Sequence, residues 1–304
     1  MSVPSSSSSS PQPSCEPLAK KIKVNHEPAI SNTSSCFRST LFNDESALAK
    51  SYSESSPYLH IVIPDLINAK LLTCVRKEIL SNIAFTLKET DIYKVNQSGD
   101  LANLDGLNGL ELDKLPSLFT LRNAIYSEEF RGLVSKVTGC GELSGCKMDM
   151  SINLYSKGCH LLCHDDVIGT RRVSFILYLP DPSIPWTLKD GGALELYPCI
   201  EPNTPATSPS RVITPQFNQF AMFTVQPGAS FHSVQEVVAS RDRLSISGWF
   251  HFPQESNHSC EATASLDQLE AARHDILFTP FPNPPSIFSE AGMYSLSLFP
   301  MKRH

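Results

Sequence analysis

Residues 160–172 read HLLCHDDVIGTRR: two histidines, a cysteine just before the second, two adjacent aspartates and a basic pair. Imidazole, thiolate and carboxylate are the side chains that hold transition metals. Two centres could be built from them. In one, Cys159, His160, Cys163 and His164 form a compact zinc cluster, with spacings that suit a helix or knuckle. In the other, only His164 and Asp166 are ligands. Residues two apart on a strand face the same side, so Asp165 would point away. The flanks favour the second. "RRVSFILYLP" reads as strand, and no second Cys/His pair of zinc-site spacing follows.

A centre of two imidazoles and one carboxylate needs another histidine. His232 supplies it, in the strand-like "SFHSVQEV". Arg243 follows in "RDRLSISGW", where alternation puts Arg243, Ser245 and Ser247 on one face and Leu244 and Ile246 on the other. An inward-facing arginine is costly unless it meets an anion, and a dicarboxylate could serve. Singly, each has a bland reading: a surface histidine beside a turn carboxylate, a core histidine, an edge-strand arginine. In order on strands, the four point to one site.

The surrounding elements must bring these positions together. After Gly145 the chain becomes a series of short segments rich in strand formers, among them "KMDMSINLY", "GGALELY" and "NQFAMFTV", which is the pattern of a sandwich or barrel. Two amphipathic helices are expected before it. One is capped by Asp65, with Leu72, Val75 and Ile79 on its inner face; the other runs through "SLFTLRNAIYSEEFRGLVSKV" to Gly139. "SGDLANLDGLNG" between them reads as loop. The expected architecture is one α+β domain over residues 55–253, preceded by a disordered tail, 1–54, rich in Ser and Pro. Residues 254–304 read as a poorly ordered C-terminal tail, with one helix expected in "SLDQLEAARHDIL".

Composition narrows the function. The 304 residues are 41% hydrophobic, enough for a sizeable core, and the net charge of −6 argues against broad binding to nucleic acid. No apolar run is long enough to span a bilayer, and no secretory leader opens the sequence. The nine cysteines, odd in number and irregularly spaced, then read as reduced thiols of a cytosolic or nuclear protein. Lys20, Lys21 and Lys23 could form a nuclear import signal or a solvated basic cluster.

Taken together, "LLCHDD", "GTRRVSFILYL", "GGALELY", "SFHSVQEV" and "RLSISGWFH" resemble the Fe(II)- and 2-oxoglutarate-dependent dioxygenases. The resemblance is closest to the eukaryotic prolyl 3-hydroxylases that act on the decoding-centre protein of the small ribosomal subunit. It covers roughly residues 55–253 and implies a double-stranded β-helix (jelly-roll) core with N-terminal helices packed on it. It also implies that His164, Asp166 and His232 bind iron. Arg243 and Tyr178 would hold the distal carboxylate of 2-oxoglutarate, with Tyr155 a further cosubstrate contact. Fe(II) would be the cofactor, 2-oxoglutarate and O₂ the cosubstrates, and ascorbate the reductant.

The implied activity is hydroxylation of a prolyl residue at C3 in that ribosomal protein, affecting translation, in nucleus and cytoplasm, without direct binding to nucleic acid or membrane. A second, non-catalytic β-helix domain would be expected after the first. Only about fifty residues follow, without a match, so the chain reads as a short isoform, a truncated gene model or a reduced relative. Two rival readings are an oxygenase acting on another substrate, such as a methylated nucleic acid, and a non-catalytic regulator.

Overall fold

The computed structural model describes residues 33–253, apart from 107 and 108. The basic cluster at Lys20, Lys21 and Lys23, most of the N-terminal tail and the expected C-terminal helix lie outside the described residues. Five helices are described: α1 (Glu45–Ser53), α2 (Ala69–Asn82), α3 (Gly109–Leu112), α4 (Pro116–Ile125) and α5 (Glu128–Thr138). The first seven strands are β1 (His60–Ile63), β2 (Thr86–Glu89), β3 (Tyr93–Asp100), β4 (Asp149–Tyr155), β5 (His160–His164), β6 (Arg171–Tyr178) and β7 (Leu194–Leu196). Six more follow: β8 (Cys199–Glu201), β9 (Thr204–Pro205), β10 (Arg211–Ile213), β11 (Phe220–Thr224), β12 (His232–Val234) and β13 (Arg243–His251).

The principal sheet runs β1-β11-β6-β13-β4-β3-β5-β12-β7-β10, with β2 added to β3. Every pairing is antiparallel. The sheet curls until its two halves face each other. Phe223 of β11 packs against His232 of β12 with ring centroids 4.7 Å apart, although the two strands are far apart in the sheet order. This is a jelly-roll core with helices on its outside.

Alternation in the strands sorts the two faces. Val173, Phe175 and Leu177 of β6, with Leu244, Ile246 and Phe250 of β13, join the helices' apolar residues in the main core. Their neighbours Ser174, Tyr178, Arg243, Ser245 and Ser247 turn into the curl. That inner face is unusually polar for a buried surface, and it carries the site.

The helices form for local reasons. Asn68 caps α2 by accepting from the Lys70 and Leu71 amides, and Leu72, Val75 and Ile79 are fully buried. The expected cap, Asp65, instead occupies a turn with φ 51°. The single second helix is two, because Ser127 adopts extended backbone and caps α5 through the Phe130 amide. Gly139, left-handed at φ 65°, ends α5.

Two expectations are corrected. Packed structure is already present at residues 33–54, ahead of the expected start at 55. Phe37 stacks on Phe130 at 4.7 Å, Leu41 is fully buried, and the Tyr52 hydroxyl hydrogen-bonds Thr224. Phe37 and Tyr52 find partners on distant elements, so local periodicity carries little trace of them. The stretch "SGDLANLDGLNG" is also more than a loop: its start ends β3, and residues Leu101–Gly106 form a 3₁₀ turn with Leu101 and Leu104 buried.

Candidate active site

His164 ends β5 and faces His232 of β12 in register, with ring centroids 4.2 Å apart. Each ring is oriented by its own backbone. Nδ1 of His164 lies 2.8 Å from the Leu162 carbonyl, and Nδ1 of His232 lies 2.8 Å from the Ser230 carbonyl. A carbonyl can only accept, so both Nδ1 atoms carry the proton. In its neutral form each ring then presents a bare Nε2 inward, the form a metal requires.

Both Nε2 atoms meet Asp166, at 3.2 Å for His164 and 3.4 Å for His232. Among the described residues, His164, Asp166 and His232 are the one group of three that could hold a metal ion, with ligand atoms all within 4.8 Å of one another. Asp166 does not reach its place by strand alternation. The strand stops at His164, and Asp166 takes a left-handed φ of 63°, which swings its carboxylate back towards the rings.

Neighbours hold it there. Ser174 Oγ donates at 2.9 Å and Trp249 Nε1 at 3.0 Å, both to Oδ2. The Arg171 guanidinium in turn covers the Trp249 ring at 3.4 Å. Burial works to raise the Asp166 pKa, but the two histidines outweigh it and hold the carboxyl well below its usual range. Burial likewise works to lower the His164 pKa, and Asp166 overrides it upward. Asp165 plays a different part. Its carboxylate accepts from the Gly228 amide at 3.0 Å, tying the metal loop to the turn before β12.

The alternative zinc cluster does not assemble. Cys159 is buried at 2% exposure beside Asn96, Cys163 is exposed, and the His160 ring turns to the Gly158 carbonyl.

Further along the inner face lies the second part of the site. Arg243 is 1% exposed, yet among the described residues its one hydrogen bond is from Nη1 to Ser245 Oγ, at 3.2 Å, and Nε and Nη2 have no partner. The guanidinium is flanked by the rings of Tyr155 at 4.8 Å and Tyr178 at 5.0 Å. Tyr178 is fully buried, and its hydroxyl also lacks a partner. Burial pushes its pKa up against the pull of Arg243, and pushes Tyr155 to about 12 against the same pull. Both phenols therefore stay protonated at neutral pH. A buried cation and a buried phenol with unused donors cost several kcal/mol unless an acceptor meets them. A carboxylate fits that requirement.

Residues that the sequence alone did not single out complete the site. Ser174 and Trp249 are two, recognisable only once the curl brings β6 and β13 to Asp166. Gly192 is a third. At φ 67°, a Cβ there would lie 2.9 Å from both Arg243 Cδ and Val237 Cγ2, so the glycine leaves room for the arginine stem. The doubled glycine of "GGALELY" was the available signal.

Comparison with known proteins agrees with this geometry. Residues 150–251 match the model of the 2OG-Fe(II) oxygenase superfamily. The chain is 45% identical over 218 residues to the prolyl 3,4-dihydroxylase OGFOD1 of Ostreococcus tauri, covering 71% of this chain and 42% of that one. It is 41% identical over 202 residues to the mouse prolyl 3-hydroxylase OGFOD1, covering 66% and 34%. With the Drosophila melanogaster prolyl 3-hydroxylase sudestada1 it shares 29% over 229 residues, covering 74% and 40%. The chain thus spans less than half the length of these curated relatives. Its curled sheet carries two imidazoles and a carboxylate beside a buried arginine unpartnered among the described residues, and in residues 150–251 the chain carries a domain of the 2OG-Fe(II) oxygenase superfamily.

Proposed function

We propose that this chain hydroxylates a prolyl residue at C3 in a protein, using Fe(II) and 2-oxoglutarate, and that the protein is the decoding-centre protein of the small ribosomal subunit. Ascorbate would keep the iron reduced, and the enzyme would work in nucleus and cytoplasm and bear on translation. The observation that carries the reading is the pairing of a His164–Asp166–His232 donor set with the partnerless Arg243 and Tyr178 on one inner face. Two imidazoles and a carboxylate leave open positions on Fe(II), the arrangement of non-haem oxygenases. The prolyl hydroxylase names of the relatives supply the reaction class.

When bound, the iron and 2-oxoglutarate would supply the reduction of O₂ that puts one oxygen atom on an unactivated C–H bond as hydroxyl and the other into succinate, with CO₂ released. The chain's own residues do the rest. His164 and His232 offer Nε2 because backbone carbonyls hold their Nδ1 protons. Asp166 offers its carboxylate from a turn locked by Ser174 and Trp249. Arg243 would donate to the distal carboxylate of 2-oxoglutarate through its planar fork, and Tyr178 would add a second donor. Tyr155 presents its ring face to the guanidinium at that end.

The test is intact mass spectrometry of the recombinant small-subunit ribosomal protein after incubation with the enzyme. A gain of one oxygen is expected, dependent on Fe(II) and 2-oxoglutarate and absent in His232→Ala. Succinate release with no change in that protein would refute the substrate. No succinate under any condition would refute the activity. Replacing Lys20, Lys21 and Lys23 with Ala in a fluorescent fusion tests localisation, with a shift out of the nucleus expected.

A further inference from the structure

The inner face carries a polar ladder that the metal and anion sites do not use. It begins at Lys88 on exposed β2, whose Nζ lies 2.7 Å from Gln97 Oε1. Gln97 Nε2 donates to Asn153 Oδ1 at 2.8 Å and to Ser151 Oγ at 3.0 Å. Asn153 Nδ2 donates to Ser247 Oγ at 2.6 Å. Gln97 faces Asn153 across the β3–β4 pairing, and Ser151 faces Ser247 across the β4–β13 pairing.

The direction of every bond follows from the first. An ammonium can only donate, so the Gln97 atom it meets must be the amide oxygen. The Gln97 NH₂ then points inward, and the Asn153 atom it meets must be an oxygen. The Asn153 NH₂ is left to face Ser247. Both serine oxygens therefore accept, and both serine protons are directed away, with no acceptor among the described residues. Neither serine is fully buried.

Their position is specific. Ser247 shares the inner face of β13 with Arg243 and with Trp249, which bonds the metal-binding carboxylate. At about 3.3 Å per residue, it stands roughly 7 Å from Trp249 along the strand. Ser247 thus stands on β13 between Arg243 and Trp249, with Ser151 across from it on β4.

We infer that Ser151 and Ser247 bind the protein substrate, by donating to main-chain carbonyls at the target proline, and that Lys88, Gln97 and Asn153 are positioning residues that set both hydroxyls as donors. The inference rests on the prolyl hydroxylase reading above. An X–Pro amide has no N–H, so the backbone there offers only carbonyl acceptors. A wall that presents only donors suits it.

The test measures the Michaelis constants for the ribosomal protein and for 2-oxoglutarate in the full chain. Replacing both Ser151 and Ser247 with Ala should raise KM for the protein roughly three- to tenfold per hydroxyl lost, as expected for neutral hydrogen bonds. KM for 2-oxoglutarate should stay unchanged. Ser151→Thr with Ser247→Thr keeps the hydroxyls on strands that tolerate β-branching, and should restore most of the loss.

Gln97→Glu is the sharper variant. It is nearly isosteric and gains an ion pair with Lys88, so the fold is kept. A carboxylate cannot donate, so Asn153 must turn its NH₂ towards it and its own oxygen towards Ser247. Ser247 then donates to Asn153, and Ser151 to the carboxylate. Both donors are consumed without change of volume, and KM for the protein should rise as in the double Ala variant. Unchanged KM for the protein in both variants overturns the inference alone. A rise confined to KM for 2-oxoglutarate overturns it too, assigning the ladder to the cosubstrate. A wild-type enzyme that makes succinate but never marks the protein removes the substrate reading and this inference together.

Discussion

Replacing Arg243 with Met separates function from folding, because the arginine is placed at a cost. It is 1% exposed, and Nε and Nη2 have no partner among the described residues. Its compensation within the fold is one hydrogen bond to Ser245 and the faces of two tyrosines, at 4.8 and 5.0 Å. Replacing a buried charge by an apolar side chain of similar volume is often neutral or stabilising by about 1–4 kcal/mol. Without cosubstrate, Arg243→Met should therefore melt at or above the wild-type temperature.

With cosubstrate the sign reverses. Nε and Nη2 are free to make two charge-assisted bonds, worth roughly 1.5–3 kcal/mol each, so 2-oxoglutarate affinity should fall by about two to four orders of magnitude. Arg243→Lys keeps the charge and loses the fork, and should lose only roughly ten- to a hundredfold. Calorimetric titration of 2-oxoglutarate into Mn(II)-loaded protein under argon reads affinity, and a thermal melt without ligand reads stability. Wild-type affinity in Arg243→Met would refute the anion assignment. A ligand-free melt lowered by several kcal/mol would show that the guanidinium serves the fold instead.

Three further outcomes are expected. Asp166→Ala should abolish tight Mn(II) binding, whereas Asp165→Ala should retain it and lose about 1 kcal/mol of stability from the Gly228 amide bond, measured by metal titration and chemical denaturation. Trp249→Phe removes the indole donor to Asp166 Oδ2 and should weaken metal affinity by about ten- to a hundredfold with little change in secondary structure by circular dichroism. Phe37→Ala removes the stack on Phe130 and should cost about 3–5 kcal/mol in urea denaturation, a loss that a residue in a solvated tail could not cause.

Much of the chemistry could be read before any fold was known. His164, Asp166, His232, Arg243 and Tyr178 stand in or beside segments whose alternation is local, and strands buried on one face must alternate wherever they pair. The same regularity marked β4, β6, β7, β11, β12 and β13. How these residues meet is a property of the curl. Asp166 joins the histidines through a left-handed turn and not through strand parity, and its hydrogen-bond donors come from Ser174 and Trp249 on other strands. The β2–β3 hairpin left no pattern because β2 is exposed throughout and so has no face to alternate. Residues 33–54 left little because Phe37 and Tyr52 find their partners on distant elements. Local composition records what a residue needs, such as a cover for an apolar ring or an acceptor for a buried guanidinium. The neighbour that meets the need comes from far along the chain, and is specified only when the sheet closes on itself.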